Sequence, residues 1–150
     1  KGEPKKAFDK AIQNSKCIAM TLSDLFCVER HKENFLELVK NQLDIVFANE
    51  QEIMSLIDTN NFDDVISFAK ELNKVIIITR GSKGSMAIDK KNIFECPAQQ
   101  NLKILDLTGA GDLFAAGFLN GYIKNLTISN CLNEGTKMSS KVIQIIGARI

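Results

Sequence analysis

The sequence predicts an α/β fold: a doubly wound, mainly parallel sheet with helices on both faces, plus a β-hairpin. Three observations predict it. Apolar runs at 17–22, 43–48 and 75–79 alternate with segments whose apolar residues recur at helical spacing. Two short strand patterns, Met86–Asp89 and Asn92–Cys96, flank a lysine pair and read as the hairpin. Ile104 and Leu105 then read as the end of a buried strand, from which a glycine turn at 106–112 leads into a helix.

Each element follows from its residues. Phe8, Ala11 and Ile12 predict a helix from about Pro4 to Asn14, and Cys17–Leu22 a buried parallel strand closed by Ser23 and Asp24. Asp24 either caps the turn or approaches a ligand crevice. Phe35, Leu36, Leu38 and Val39 lie on one side of an amphipathic helix over 29–41. The strand Leu43–Ala48 runs into Asn49-Glu50-Gln51-Glu52, which begins a helix through Ile53, Leu56 and Ile57. A helix from Phe62 to about Asn73 precedes Val75–Thr79, the most β-prone run and therefore a central strand. The helix after Asp112 carries Ala115, Ala116, Gly117 and Gly121, small residues that allow close packing. A last helix, from about Ile128 to Ile145, is predicted to stop at Gly147-Ala148.

With 45% apolar and 25% charged side chains, the 150 residues suit one globular unit with a real core. Nineteen basic against 18 acidic residues, with no basic run or acidic tail, argue against nucleic acid and membrane surfaces and for a small-molecule partner. Cys17, Cys27, Cys96 and Cys131 form no C-x-x-C pair and read as reduced core residues of a cytoplasmic protein. His31, the single histidine, has no ligand-spaced neighbours, which argues against zinc. No apolar run approaches a membrane span, and no signal peptide is expected.

The chemistry concentrates at Asp106-Leu107-Thr108-Gly109-Ala110-Gly111-Asp112. The first amides of a helix have no intrahelical acceptor and point along the positive end of its dipole, so the turn is a candidate anion site. A carboxylate beside such a site is repulsive unless it works there. Asp112 can accept the proton of an attacking hydroxyl while the amides hold charge on a transferred phosphoryl group. The plainer alternative is that Asp112 caps the helix and the glycines turn the chain. Asn49 and Glu52, three apart, form either a capping box or a pair ordering metal and water at a nucleotide phosphate. Thr79-Arg80-Gly81-Ser82-Lys83-Gly84 is not the dinucleotide fingerprint, because threonine replaces its first glycine and no helix is expected to follow.

The run D-L-T-G-A-G-D-L-F-A-A-G-F closely resembles the second signature of the ribokinase, or PfkB, family of sugar and nucleoside kinases, with Leu107 standing where threonine is usual. T-x-G-x-x-G at 79–84 and N-x-x-E at 49–52 resemble the family's nucleotide-side elements in order and spacing. Within the family, residues 22–31 and the ending Gly147-Ala148-Arg149 look most like the bacterial adenosine-kinase-like branch. The resemblance implies ATP, Mg²⁺ and transfer to a hydroxymethyl group of a sugar or nucleoside. It implies Asp112 as base, Gly109, Ala110 and Gly111 as anion hole, and Thr79, Gly81, Gly84, Asn49, Ser139 and Gly147 at the nucleotide. Glu52, with Asn49 through water, would organise the metal, and Asp106 would be the residue for K⁺. Residues 1–150 would form one α/β unit, the C-terminal nucleotide-binding and catalytic half of a family member, without the N-terminal half and lid. A homodimer is implied for the full-length protein. A different reading is a non-catalytic nucleotide-binding or regulatory module.

Overall fold

The structure, a computed structural model, describes residues 4–149. Helix α1 (Pro4–Asn14) leads to strand β1 (Ala19–Thr21), then helices α2 (Leu25–Arg30) and α3 (Lys32–Asn41) and strand β2 (Ile45–Asn49). Helices α4 (Glu50–Leu56) and α5 (Phe62–Glu71) precede the strands β3 (Val75–Thr79), β4 (Ser85–Asp89) and β5 (Asn92–Cys96). Helices α6 (Ala110–Ile123) and α7 (Ile128–Val142) complete the order. The five strands form one sheet in chain order, with β1, β2 and β3 parallel and β4 and β5 antiparallel.

Alternation along the strands makes two cores. Val46, Ala48, Ile76, Ile78, Met86 and Ile88 face one way and pack with Val28, Val39, Ile53, Leu56, Val65 and Ala69 of α2 to α5. Ile45, Phe47, Val75, Ile77 and Ala87 face the other way and pack with Phe114, Phe118, Cys131 and Leu132 of α6 and α7. Helices therefore cover both faces, as the sequence predicts, and β2 and β3 are apolar at every buried position because both of their faces are covered. Helices α6 and α7 approach closely. A Cβ on Gly117 would stand 2.6 Å from the Glu134 carbonyl oxygen, and one on Gly135 would stand 2.8 Å from that of Phe114.

Four expectations are corrected. Ile104 and Leu105 form no strand; they are 60% and 51% exposed, and Leu105 donates its amide to the Ile143 carbonyl at 2.8 Å instead of pairing in the sheet. The helix expected over 29–41 is broken at His31, whose amide caps α2 through the Cys27 carbonyl at 3.0 Å while its own carbonyl accepts the Phe35 amide at the start of α3. The strand expected to be buried at 17–22 shrinks to three residues on the sheet edge, with Ala19 and Thr21 exposed. The last helix ends at Val142, where the Gln144 and Ile145 amides turn to the carbonyls three residues back, of Lys141 and Val142, and the Ile143 carbonyl accepts from the Leu105 and Asp106 amides.

All four cysteines are free, but the core placement expected for them holds for Cys96 and Cys131 alone: Cys27 is half-buried, and Cys17, beside the short edge strand β1, is exposed. Among the described residues, no helix is long and apolar enough to cross a membrane.

Candidate active site

The carboxyl ends of β2 and β3 and the start of β4 meet at one edge of the sheet, where Asn49 pairs with Thr79 and Thr79 with Ser85. Ligands of open α/β sheets gather at such edges. A short 3₁₀ turn, Gly81–Lys83, links β3 to β4. It is closed by the Arg80 amide on the Gly84 carbonyl at 2.8 Å and the Gly84 amide on the Gly81 carbonyl at 3.0 Å. Gly84 is required here: its φ of +91° is paired with a Cβ position 2.2 Å from the Cys96 carbonyl oxygen.

Opposite this loop, Gly109 takes a left-handed φ of +77° as N-cap of α6. The Ala110 amide is spent on the Leu107 carbonyl and the Leu113 amide on the Gly109 carbonyl, whereas the amides of Gly111 and Asp112 have no acceptor among the described residues. These are the groups an anion needs. A Cβ on Gly111 would meet nothing within 4 Å, so glycine at this position is not dictated by packing.

Loop and helix start line one cleft of about 520 Å³. It brings together six of the residues singled out in the sequence: Thr79, Gly81 and Gly84 from the loop, Ala110 and Gly111 from the turn, and Ser139 from α7. Leu102, Ile104, Leu107, Phe114 and Ile143 supply apolar wall, and Ser82, Ser85, Thr136 and Ser140 add hydroxyls. The exposure of Ile104 and Leu107 is thus exposure toward this cleft. Asp112 follows the lining residues on α6 and is exposed, with no partner for its carboxylate among the described residues.

Asn49 lines a second recess of about 340 Å³ that shares Thr79 and Gly81 with the cleft. Asn49 and Glu52 form a reciprocal capping box. The Asn49 side-chain oxygen accepts the Glu52 amide at 2.8 Å, and Glu52 accepts the Asn49 amide at 2.8 Å and its side-chain amide at 2.6 Å. Glu52 is only 5% exposed, and burial raises its carboxyl above the ordinary carboxylate range, the Asn49 amide pulling against this and the Asp24 charge adding to it. Both Glu52 oxygens already accept hydrogen bonds, which suits a Mg²⁺ held through water better than a directly ligated one. Among the described residues, no three His, Cys, Asp or Glu side chains converge as a metal cage. Asp24 caps α2, accepting the Cys27 amide at 2.8 Å.

Asp106 and Gly147 lie outside the cleft lining and are joined to each other. One Asp106 oxygen accepts the Thr108 amide at 2.9 Å and hydroxyl at 2.7 Å, and the other accepts the Gly147 amide at 2.9 Å. The Thr108 hydroxyl, and then the Thr108 and Gly147 amides, hold the Asp106 carboxyl below its ordinary range. A K⁺ at this carboxylate would share it with three donors.

Sequence reasoning missed an ion cluster at the mouth of the loop. Glu50 accepts from Arg80 Nε at 2.9 Å and from Lys83 Nζ at 3.0 Å, and Arg80 also lies 4.0 Å from the centre of the Phe62 ring. Hydrogen bonding from Arg80 holds the Glu50 carboxyl below its ordinary range, against a smaller opposing effect of burial and with Lys83 assisting. Charges thirty residues apart leave no periodic trace. The one signal was two basic residues at the variable positions of a glycine loop.

Residues 5–150 match the family model described as "pfkB family carbohydrate kinase". The chain belongs to the pfkB family. It is 33% identical over 118 residues to the nucleoside kinase of Methanocaldococcus jannaschii, covering 79% of this chain and 38% of that protein. It is 32% identical to the cytidine kinase of Thermococcus kodakarensis, covering 75% and 41%. Among solved structures, the adenosine kinase from Sinorhizobium meliloti superposes with a TM-score of 0.94 at 36% identity, over 99% of this chain and 47% of that one. The chain thus spans about two fifths to a half of the length of these pfkB relatives. The mixed five-stranded sheet with helices on both faces is the ribokinase-like arrangement of such neighbours.

Proposed function

We propose that this chain is the nucleotide-binding and catalytic half of an ATP-dependent kinase that phosphorylates a hydroxymethyl group of a nucleoside or sugar. The observation that carries the reading is the convergence of the 79–84 loop and the unpaired amides of α6 on one cleft whose open position is Gly111. Membership of the pfkB family, and relatives named for nucleoside, cytidine and adenosine kinases, support it further.

In this reading the nucleotide occupies the cleft, with its polyphosphate along Thr79–Gly84 and its base toward Ser139 and the segment ending at Gly147. Asp112 takes the proton of the acceptor hydroxyl as that oxygen bonds to the γ-phosphorus, and the bond to the ADP oxygen breaks. The free amides of Gly111 and Asp112, presented by the Gly109–Gly111 turn, hold the charge that spreads over the transferred oxygens, the Ala110 amide being spent on the Leu107 carbonyl. Asn49 and Glu52 order the metal's water shell. Mg²⁺, when bound, neutralises charge on the phosphates.

Calorimetric titration with ADP and Mg²⁺ tests the assignment, with Gly111→Leu beside the unmodified protein. Saturable binding is expected only in the latter, while the thermal midpoint of the variant stays level or rises, because leucine improves helix propensity by somewhat under ~1 kcal/mol where no atom obstructs the Cβ. Equal affinity in both proteins would remove the cleft from the nucleotide.

A further inference from the structure

We propose that Glu50 is a positioning residue which, through Arg80 and Lys83, holds the 79–84 loop in register with the first turn of α4. The proposal rests on the nucleotide reading of the cleft, and it adds a role for three residues which that reading leaves idle.

Glu50 is the first residue of α4, between Asn49 and the buried Glu52. Its two carboxylate oxygens are divided between the loop's cations, one toward Arg80 Nε at 2.9 Å and the other toward Lys83 Nζ at 3.0 Å. Arg80 and Lys83 bracket Gly81, whose backbone is left-handed with φ +57° and whose Cβ position is open. The loop therefore gets little restraint from packing at that point. The Arg80–Glu50 pair is well sheltered, with side-chain exposures of 19% and 24%, while Lys83 is 61% exposed. Exposed pairs contribute little, so Arg80 carries most of the restraint, and its guanidinium is fixed a second time by the Phe62 face at 4.0 Å. Loop, α4 and α5 are joined at one guanidinium.

The same residues bear on charge. Glu50, Arg80 and Lys83 line the recess that shares Thr79 and Gly81 with the cleft. With Glu50 in place, both cations are partnered and the loop amides not spent on closing the turn, those of Gly81 and Ser82, rather than mobile side chains, determine where a polyphosphate rests. Without it, two unpartnered cations beside the phosphates would still attract the nucleotide but would not keep it in line with the acceptor. The expected signature is a fall in kcat with no rise in KM for ATP. A loop that had merely lost its structure would raise KM.

Two arms test this in the full-length protein, using Glu50→Gln and Arg80→Gln singly and together. Without nucleotide, amide exchange at Lys83 and Gly84 is expected to accelerate by about tenfold in each variant, since those amides close the turn onto the Arg80 and Gly81 carbonyls. With ATP, kcat is expected to fall by roughly ten- to a hundredfold at unchanged or lower KM, and the double variant should be no worse than the poorer single one. Unaltered exchange would overturn the clamp, whatever the kinetics. Faster exchange with unaltered kcat would overturn its role in positioning. If the unmodified protein turned over no nucleotide, the kinase reading would fall and the positioning role with it, and the exchange arm would distinguish that outcome from the absence of the clamp.

Discussion

In the full-length protein, phosphoryl transfer by Asp112→Asn is expected to fall by roughly a thousandfold or more, with nucleotide affinity within about twofold of the unmodified full-length protein. The substitution preserves shape while removing the capacity to accept a proton and one negative charge. Asp112 is exposed, sits in the first turn of α6, and has no hydrogen-bond or ionic partner in the described chain, so no network collapses when it changes. The loss of a negative charge near the positive end of the helix should lower stability by about 0.3–1 kcal/mol, too little to unfold the protein. Steady-state kinetics with saturating acceptor, alongside ADP titration, separate the two effects. Full turnover in Asp112→Asn would sink the assignment of the base, and intact nucleotide binding with no turnover in either protein would favour the non-catalytic module.

A second large effect is expected far from the chemistry. Gly117→Val should destabilise the fold by roughly 3 kcal/mol, at the upper end for overpacked sites, and lower the thermal midpoint by about 6–12 °C. The Cβ alone would lie 2.6 Å from the Glu134 carbonyl oxygen and 2.9 Å from the Gly135 Cα, both backbone atoms that cannot rotate away. Helix α7 must therefore move, and with it Thr136, Ser139 and Ser140, which wall the cleft opposite the loop. Nucleotide affinity should fall in step with stability, unlike in Gly111→Leu, where affinity alone is lost. Circular dichroism melts and calorimetry on the two variants would reveal the contrast. A Gly117→Val protein with an unchanged melting temperature would mean that the α6–α7 spacing is not under the constraint described.

The legible parts of the fold were those in which neighbouring residues carry the signal. Residues 45–48 and 75–78 are apolar at every position because they are buried on both faces, and Asn49-x-x-Glu52 declares a helix start in four residues. In the candidate site, glycine is demanded by backbone geometry at Gly84 and Gly109, whereas at Gly111 neither packing nor backbone conformation requires it, and only the sequence pattern singled it out. Ile104-Leu105 misled because a two-residue apolar pair looks the same whether it ends a strand or lies in a loop with one member, Ile104, walling a cleft. The break at His31 has no glycine or proline to announce it; it lies in the His31 backbone, whose φ of −126° and ψ of +27° leave the helical region in a way open to any residue. The Glu50–Arg80–Lys83 cluster was invisible because it depends on β2 and β3 lying side by side, a tertiary fact.

The switch from parallel to antiparallel pairing at β3 also bears on how the molecule reaches its native state. Partners across β3, β4 and β5 are between 3 and 14 residues apart in the chain, whereas β2 and β3 join residues 30 apart and the segment before α6 is tied to the end of α7 across 38. Short loops close at lower entropic cost and hairpins form in microseconds, so the 75–96 meander is the natural nucleus. The glycine loop at 81–84 would then be set in the first structure to form, and the turn at 109–111 would arrive opposite it only after α6 and α7 dock. Native-state hydrogen exchange is expected to rank the β3–β4 amides among the last to open and those around Gly111 among the first. One wall of the cleft would thus belong to the most persistent part of the fold and the other to its most readily melted part.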